Sequence, residues 1–82
     1  MSCNEHTLAD RDLSGEEMEA IAQKAGQQTT RSDQAEFVFV SVANAGVGGP
    51  LNVGHWAVKI LNTRLGFEAD DPIVQELVAA YA

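Results

Sequence analysis

The spacing of apolar residues changes several times along the chain, and each change predicts a different element. Over residues 13–26, apolar positions recur every three or four residues on a polar background, which predicts an amphipathic helix. Ser14 and Glu17 stand in the capping-box arrangement at the start of this helix. A flexible polar arm is predicted before it over residues 1–12, and a polar linker after it over residues 27–36.

Residues 37–42, FVFVSV, form the most β-like segment of the chain. Alternation places Phe37 and Phe39 on one face and Val38 and Val40 on the other. Both faces are therefore largely apolar, as in a strand that is covered on both sides. Because one strand cannot form a sheet, we expect it to pair with a second strand of this chain or with another chain.

A glycine-rich turn and two helices follow the predicted strand. Three glycines and a proline within residues 46–50 favour a turn over a regular element. Asn52 is a candidate cap for a helix over residues 53–65, which carries the only tryptophan. Asp71 and Pro72 then provide the cap and first residue of a last helix.

Together these patterns predict a small α+β domain with about three helices and one or two strands. The strand, the turn and the two helices form one predicted unit over residues 37–82, in which the strand is able to pair with a second chain. A chain of 82 residues buries a limited fraction of its surface, so we expect a partner or a second copy to add burial.

Charge narrows the range of partners. The chain carries 12 acidic and 5 basic residues, for a net charge of −7. This charge repels phosphate backbones and anionic lipids, so nucleic acid is not expected as a partner. A protein partner with a basic surface, or a second copy of this chain, agrees better with the composition.

The longest uncharged stretch, residues 37–58, has the length of a membrane span. A helix that crosses a bilayer is disfavoured by the polar residues Asn44 and Asn52 and by the glycines before Pro50. The first residues also lack the basic start and apolar run of a secretory signal. We therefore predict no membrane span and a cytoplasmic location.

Residues with reactive or metal-binding side chains are few. A lone cysteine, Cys3, excludes an internal disulfide. Cys3 and His6 together would supply two metal ligands, whereas a structural metal site needs four. His55 is not matched to a nucleophile at any recognisable spacing. We therefore predict no catalytic residues, no metal and no cofactor, and a protein that is not an enzyme.

Residues 44–49, NAGVGG, resemble the Rossmann G-x-G-x-x-G pattern with asparagine in place of the first glycine. The resemblance implies a loop in which backbone N–H groups approach a pyrophosphate at a helix N-terminus. No second hydrophobic strand follows the helix, and no acidic residue is placed to hold a ribose. A nucleotide-binding fragment with a degenerate loop is therefore an alternative function.

The order of segments also resembles the precursors of ribosomally synthesised peptide natural products. In that family, a leader helix docks on a modifying enzyme, and an apolar core peptide downstream is altered. Here the acidic helix over residues 13–26 takes the place of the leader, and the glycine-rich apolar stretch takes the place of the core. Two well-patterned helices follow that stretch, which departs from the family layout. A ribosomal peptide precursor with a leader helix and a glycine-rich apolar core is a second alternative function.

The function that the sequence favours is a small acidic interaction protein, an accessory or regulatory subunit without enzymatic activity. It is expected to dock on a protein partner, or to self-associate, through apolar helix faces and the segment over residues 37–42. The residues predicted to contact the partner are the large apolar side chains Met18, Ile21, Phe37, Val38, Phe39, Val40, Trp56 and Tyr81.

Overall fold

A computed structural model describes residues 10–82, and this part of the chain consists of four α-helices without a strand. The helices are α1 (Gly15–Gly26), α2 (Arg31–Asn44), α3 (Pro50–Leu65) and α4 (Pro72–Tyr81). The predicted α+β class is therefore wrong, and the described chain is all-helical. Residues 1–9, most of the predicted flexible arm, lie outside the described residues.

The helix predicted over residues 13–26 is present as α1, with the predicted capping box. The Ser14 hydroxyl accepts a hydrogen bond from the Glu17 backbone N–H, and the Glu17 carboxylate accepts one from the Ser14 N–H. Leu13 and Met18, which flank the cap in the positions of a hydrophobic staple, are both buried. The start of α1 is thus fixed by polar and apolar contacts together.

Helix α2 replaces the strand predicted over residues 37–42. Its buried residues are Ala35, Val38, Phe39 and Val42, and their spacing of three, one and three is that of one helix face. Alternation within six residues concealed this period because Phe37 and Val40, beside the buried face, are apolar too. Burial against the other helices outweighs the β-propensity of the valines, which is a weak preference.

The polar linker predicted over residues 27–36 is also wrong for most of its length, because α2 begins at Arg31. The Thr30 hydroxyl accepts a hydrogen bond from the Asp33 N–H and so caps the helix. The connection from α1 to α2 is consequently a short turn. Thr30 and Asp33, three residues apart, are the sequence signal that reveals this helix start.

Helices α3 and α4 correspond to the two helices predicted after the glycine-rich turn. Helix α3 starts at Pro50, three residues earlier than predicted, and its C-cap is Gly66. The φ of Gly66 is 77°, a left-handed conformation that glycine adopts without strain. Helix α4 begins as predicted: the Asp71 carboxylate accepts a hydrogen bond from the Ile73 N–H, and Pro72 follows the cap.

Helices α2 and α3 form the centre of the fold. Each packs against the other three helices, whereas α1 and α4 lie on different sides and do not contact each other. The Phe39 ring of α2 lies 5.3 Å from the Tyr81 ring of α4, centroid to centroid. The buried core residues are Leu13, Met18, Ala22, Ala25, Ala35, Val38, Phe39, Val42, Val47, Val53, Trp56, Ala57, Ile60, Leu61, Phe67 and Val74.

Helix α4 is the least buried of the four. Val74 is its one fully buried residue, while Ile73, Leu77, Val78 and Tyr81 are half-buried against the core. Its exposed apolar residues are the small side chains of Ala79 and Ala80, while its four half-buried apolar residues keep part of their surface accessible. None of the helices between residues 10 and 82 is long and apolar enough to cross a membrane.

Candidate functional site

The three arginines of the chain join elements of the fold. The Arg11 guanidinium forms an ion pair with Glu17 at 2.9 Å and donates a hydrogen bond to the Ala45 carbonyl at the end of α2. Arg64 of α3 pairs with Glu19 of α1 at 3.0 Å. These contacts secure the side of the molecule that carries α1.

The carboxylate of Glu17 has a perturbed acidity as a result. Hydrogen bonds from the Arg11 guanidinium, and then from the Ser14 backbone N–H, favour its charged form and lower its pKa to about 2. The same hydrogen bond raises the pKa of Arg11. Since both groups serve the helix cap and both are partly exposed, we assign them a structural role.

Arg31 makes the corresponding connection to α4. It donates a hydrogen bond of 2.8 Å to the Asp71 carboxylate, and its guanidinium carbon lies 4.3 Å from the centre of the Phe67 ring. The hydrogen bond from Arg31, followed by that from the Ile73 N–H, lowers the pKa of Asp71. The start of α4 is therefore attached to the start of α2, and Phe67, in the connection between α3 and α4, is buried.

The glycine-rich turn holds the N-terminal segment against the fold. The Asn52 amide donates hydrogen bonds to the carbonyls of Arg11 and Val47, and the Arg11 N–H donates to the Val47 carbonyl. Asn52 thus lies inside α3 and links segments, which corrects its prediction as the helix cap; Gly49 occupies the cap position. Arg11, which was predicted to belong to a flexible arm, is attached to the turn and to α3 by these contacts.

The same turn does not have the geometry of a nucleotide-binding loop. The strand that should precede it is helix α2, and the first residue of α3 is a proline, which supplies no N–H. At Gly48, where φ is 121°, a Cβ would collide with Asp10. The Asp10 carboxylate therefore lies where a pyrophosphate would have to approach. The resemblance to the Rossmann pattern is thus confined to the sequence and is not accompanied by the expected geometry.

Within residues 10–82, no three His, Cys, Asp or Glu residues gather as a metal site would require, and no polar or charged residue is buried. His55 is exposed, with its ring edge-on to Trp56 at 5.1 Å. Lys59 covers the same indole from 5.1 Å.

The residues predicted to contact a partner fall into two groups. Met18, Val38, Phe39 and Trp56 are buried in the core, where contacts within the chain already use their apolar surface. The partly or largely accessible residues are Ile21, Phe37, Val40 and Tyr81. Ile21 lies in a shallow groove between α1 and α2. The helical structure of α2 explains why Val38 and Val40, predicted to share a face, differ completely in exposure.

One accessible surface, which we name the Leu51 face, lies between the first half of α3 and the end of α4. Leu51 is 85% exposed, the highest exposure among the large apolar residues described. The groove beside it has a volume of about 310 Å³, enough to receive apolar side chains of another helix. The face is lined by Pro50, Leu51, Gly54, His55, Val58, Val78 and Ala82. The exposure of Leu51 depends on how α3 packs against α4, which the sequence alone does not show.

A second surface, which we name the acidic groove, lies on the outer side of α2 and continues to α4. It consists of two adjoining depressions that share Glu36. Its residues are Gln28, Ser32, Asp33, Glu36, Phe37, Val40, Ile73, Glu76 and Leu77. Apolar side chains thus alternate with three carboxylates along the groove, and no lysine or arginine lines it.

Comparison with protein-family models, curated proteins and solved structures finds no match to this chain.

Proposed function

We propose that the protein is a non-enzymatic interaction protein, a small accessory or regulatory subunit that self-associates through the Leu51 face. The observation that carries the proposal is the exposure of Leu51, 85%, beside an uncharged apolar groove. Covering an exposed apolar surface of this kind with another protein is energetically favourable. A cytoplasmic location, in which Cys3 stays reduced, is part of the proposal.

The Leu51 face is suited to contact with a copy of itself. Leu51, Gly54 and Val58 are separated by three and four residues, so they form a stripe along α3. Leu51 projects from this stripe, and the groove at Gly54 and Val78 can receive it. Since projection and recess belong to the same surface, two copies related by a twofold axis can fill each other's grooves.

Gly54 supports close approach of a second helix. A glycine in a helix interior costs about 0.5–1 kcal/mol relative to alanine. A Cβ placed at Gly54 would meet nothing within 4 Å, so packing within the described chain does not require glycine at this position. A second α3 helix that crosses at Gly54 would require it, because a methyl group there would separate the two backbones.

Charge and area determine how strong the association is. No charged side chain lines the Leu51 face, so two chains that each carry −7 can meet there without placing like charges in direct contact. Seven residues line the groove, whereas a standard interface has about 20–30 residues on each side. We therefore expect a weak dimer, with a dissociation constant of about 100 µM or more.

Sedimentation velocity over a concentration series tests the proposal with Leu51→Glu. A glutamate at this second helical position is favourable to the helix dipole and is exposed, so the fold should be retained. The dimer should be at least about ten-fold weaker, because an apolar contact is lost and like charges meet. Val40→Glu, on α2, is the control with the same net charge and should associate as the wild type does. Equal association of Leu51→Glu and the wild type would refute the proposal.

Gly54→Ala provides a second variant in which stability and association change in opposite directions. The free energy of unfolding should increase by about 0.5–1 kcal/mol, as measured by urea denaturation of dilute protein. Association, measured by sedimentation, should weaken several-fold because the helices cannot approach as closely. Stronger association together with higher stability would contradict a helix crossing at Gly54.

A further inference from the structure

We propose that the acidic groove binds a basic amphipathic helix of a partner protein. This surface is separate from the Leu51 face, so the proposal does not depend on self-association. It names the chemistry of a second, different partner, with apolar residues that enter the groove and lysine or arginine residues along its borders.

The apolar floor of the groove has the spacing that a docked helix needs. Phe37 and Val40 are three residues apart on α2, and Ile73 and Leu77 are four residues apart on α4. Val40 is 42% exposed, and the other three are half-buried, so each presents apolar surface without being required to leave the core. Phe37 and Val40 line one depression, and Ile73 and Leu77 line the adjoining one, with Glu36 shared by both. A helix that lies across both depressions would contact both apolar pairs.

Charge complementarity selects a basic partner. Asp33 and Glu36 border the floor on α2, and Glu76 borders it on α4. Arg31, at the start of α2, is engaged with Asp71 and Phe67, so it does not neutralise these carboxylates. Three carboxylates around an apolar floor attract lysine and arginine, while they repel phosphate groups of nucleic acids and anionic lipids.

The proposal can be tested by fluorescence anisotropy with a designed probe, a labelled helical peptide of about 18 residues, five helical turns. Leucines occupy one face of this peptide and lysines the other. Binding is measured to the wild-type protein and to the double variant Glu36→Gln/Glu76→Gln. The double variant should bind at least about five-fold more weakly, since each exposed charge pair contributes a fraction of a kcal/mol or more.

A matched control separates the groove from general attraction between opposite charges. Glu16→Gln/Glu68→Gln removes two exposed acids outside the groove and gives the same net charge as the first double variant. This control should weaken binding by no more than about two-fold. If the two double variants weaken binding equally, the peptide is attracted to net charge alone and the proposal is refuted.

The apolar part of the proposal needs a variant that keeps every charge. Val40→Ser removes exposed apolar surface from the floor, and because Val40 lies outside the core the fold should be retained. Weaker binding of the peptide to Val40→Ser is expected, whereas unchanged affinity would overturn the apolar contact. Leu51→Glu should bind the peptide normally while it loses self-association, so failure of one proposal can be distinguished from failure of the other.

Discussion

Helices α1 and α4 both lie outside the α2–α3 centre, but their surfaces are completed in different ways. Helix α1 buries Met18, Ala22 and Ala25, and it is joined to the rest of the chain by ion pairs at Glu17 and Glu19. Helix α4 buries Val74 alone, and its described ion pair is at the cap, Asp71. On the side with α1, ion pairs connect the helix to the rest of the chain. On the side with α4, half-buried apolar residues keep part of their surface accessible.

This difference is reflected in the two surfaces proposed for docking. Both proposed docking surfaces include residues of α4: Val78 on the Leu51 face, beside the C-cap Ala82, and Ile73, Glu76 and Leu77 in the acidic groove. An element that is half-buried in an isolated chain gains further burial when a second protein covers it. We therefore regard α4 as the helix around which the interactions of this protein are organised.

The largest expected effect concerns α2, the helix that supports both sides. Phe39→Ala should lower the free energy of unfolding by about 3–5 kcal/mol, because Phe39 is fully buried and contacts Tyr81. Phe37→Ala should cost about 1 kcal/mol, since Phe37 is half-buried. Urea denaturation followed by circular dichroism measures both. A strand would place the two rings on one face, so equal losses would contradict the helix.

A smaller effect compares the caps of the two outer helices. Ser14→Ala should cost about 1 kcal/mol, and Asp71→Ala about 1–2 kcal/mol because it also frees Arg31. Asp71→Asn, which keeps a good cap and removes the charge, should recover most of the loss. Thermal unfolding measures the three variants. If Asp71→Asn is as unstable as Asp71→Ala, the ion pair with Arg31 contributes more to stability than the cap does, which would contradict this prediction.

The smallest effect is a dependence of stability on pH on the α1 side. The pKa of Glu17 is lowered from 4.5 to about 2 in the folded chain, so its contribution is present above pH 4.5 and is lost as the pH falls to 2. Glu17→Gln keeps a side chain that suits the capping box and removes the charge. The urea midpoint of this variant should therefore change less between these pH values than that of the wild type. Parallel curves would show that the ion pair with Arg11 adds no stability.

Local signals at the ends of helices could be predicted from the sequence. The capping box at Ser14 and the cap at Asp71 are formed by side chains and backbone groups within three residues, so no tertiary information is needed to find them. The predicted end of the helix over residues 53–65, just before the C-cap Gly66, belongs to the same class. These predictions depend on short-range hydrogen bonds that are the same in an isolated segment and in the folded chain.

The prediction of a strand in place of α2 was wrong because residues 37–42, five of which are apolar, were interpreted without their neighbours. Adding Ala35 to Val38, Phe39 and Val42 reveals the helical period, and Thr30 with Asp33 marks its start. The Leu51 face could not be predicted from the sequence, for a different reason. Whether a leucine beside a proline is buried depends on how α3 and α4 cross, which is a property of tertiary packing.

The most direct test of the role of α4 is a residue-resolved NMR dilution series on the wild-type protein. Amide chemical shifts are recorded from about 20 µM to about 1 mM, a range that spans the expected dissociation constant. The account predicts concentration-dependent shifts at Leu51, Gly54, Val58 and Val78. Shifts confined to the groove between α1 and α2, around Ile21, or no shifts over the whole range, would contradict it.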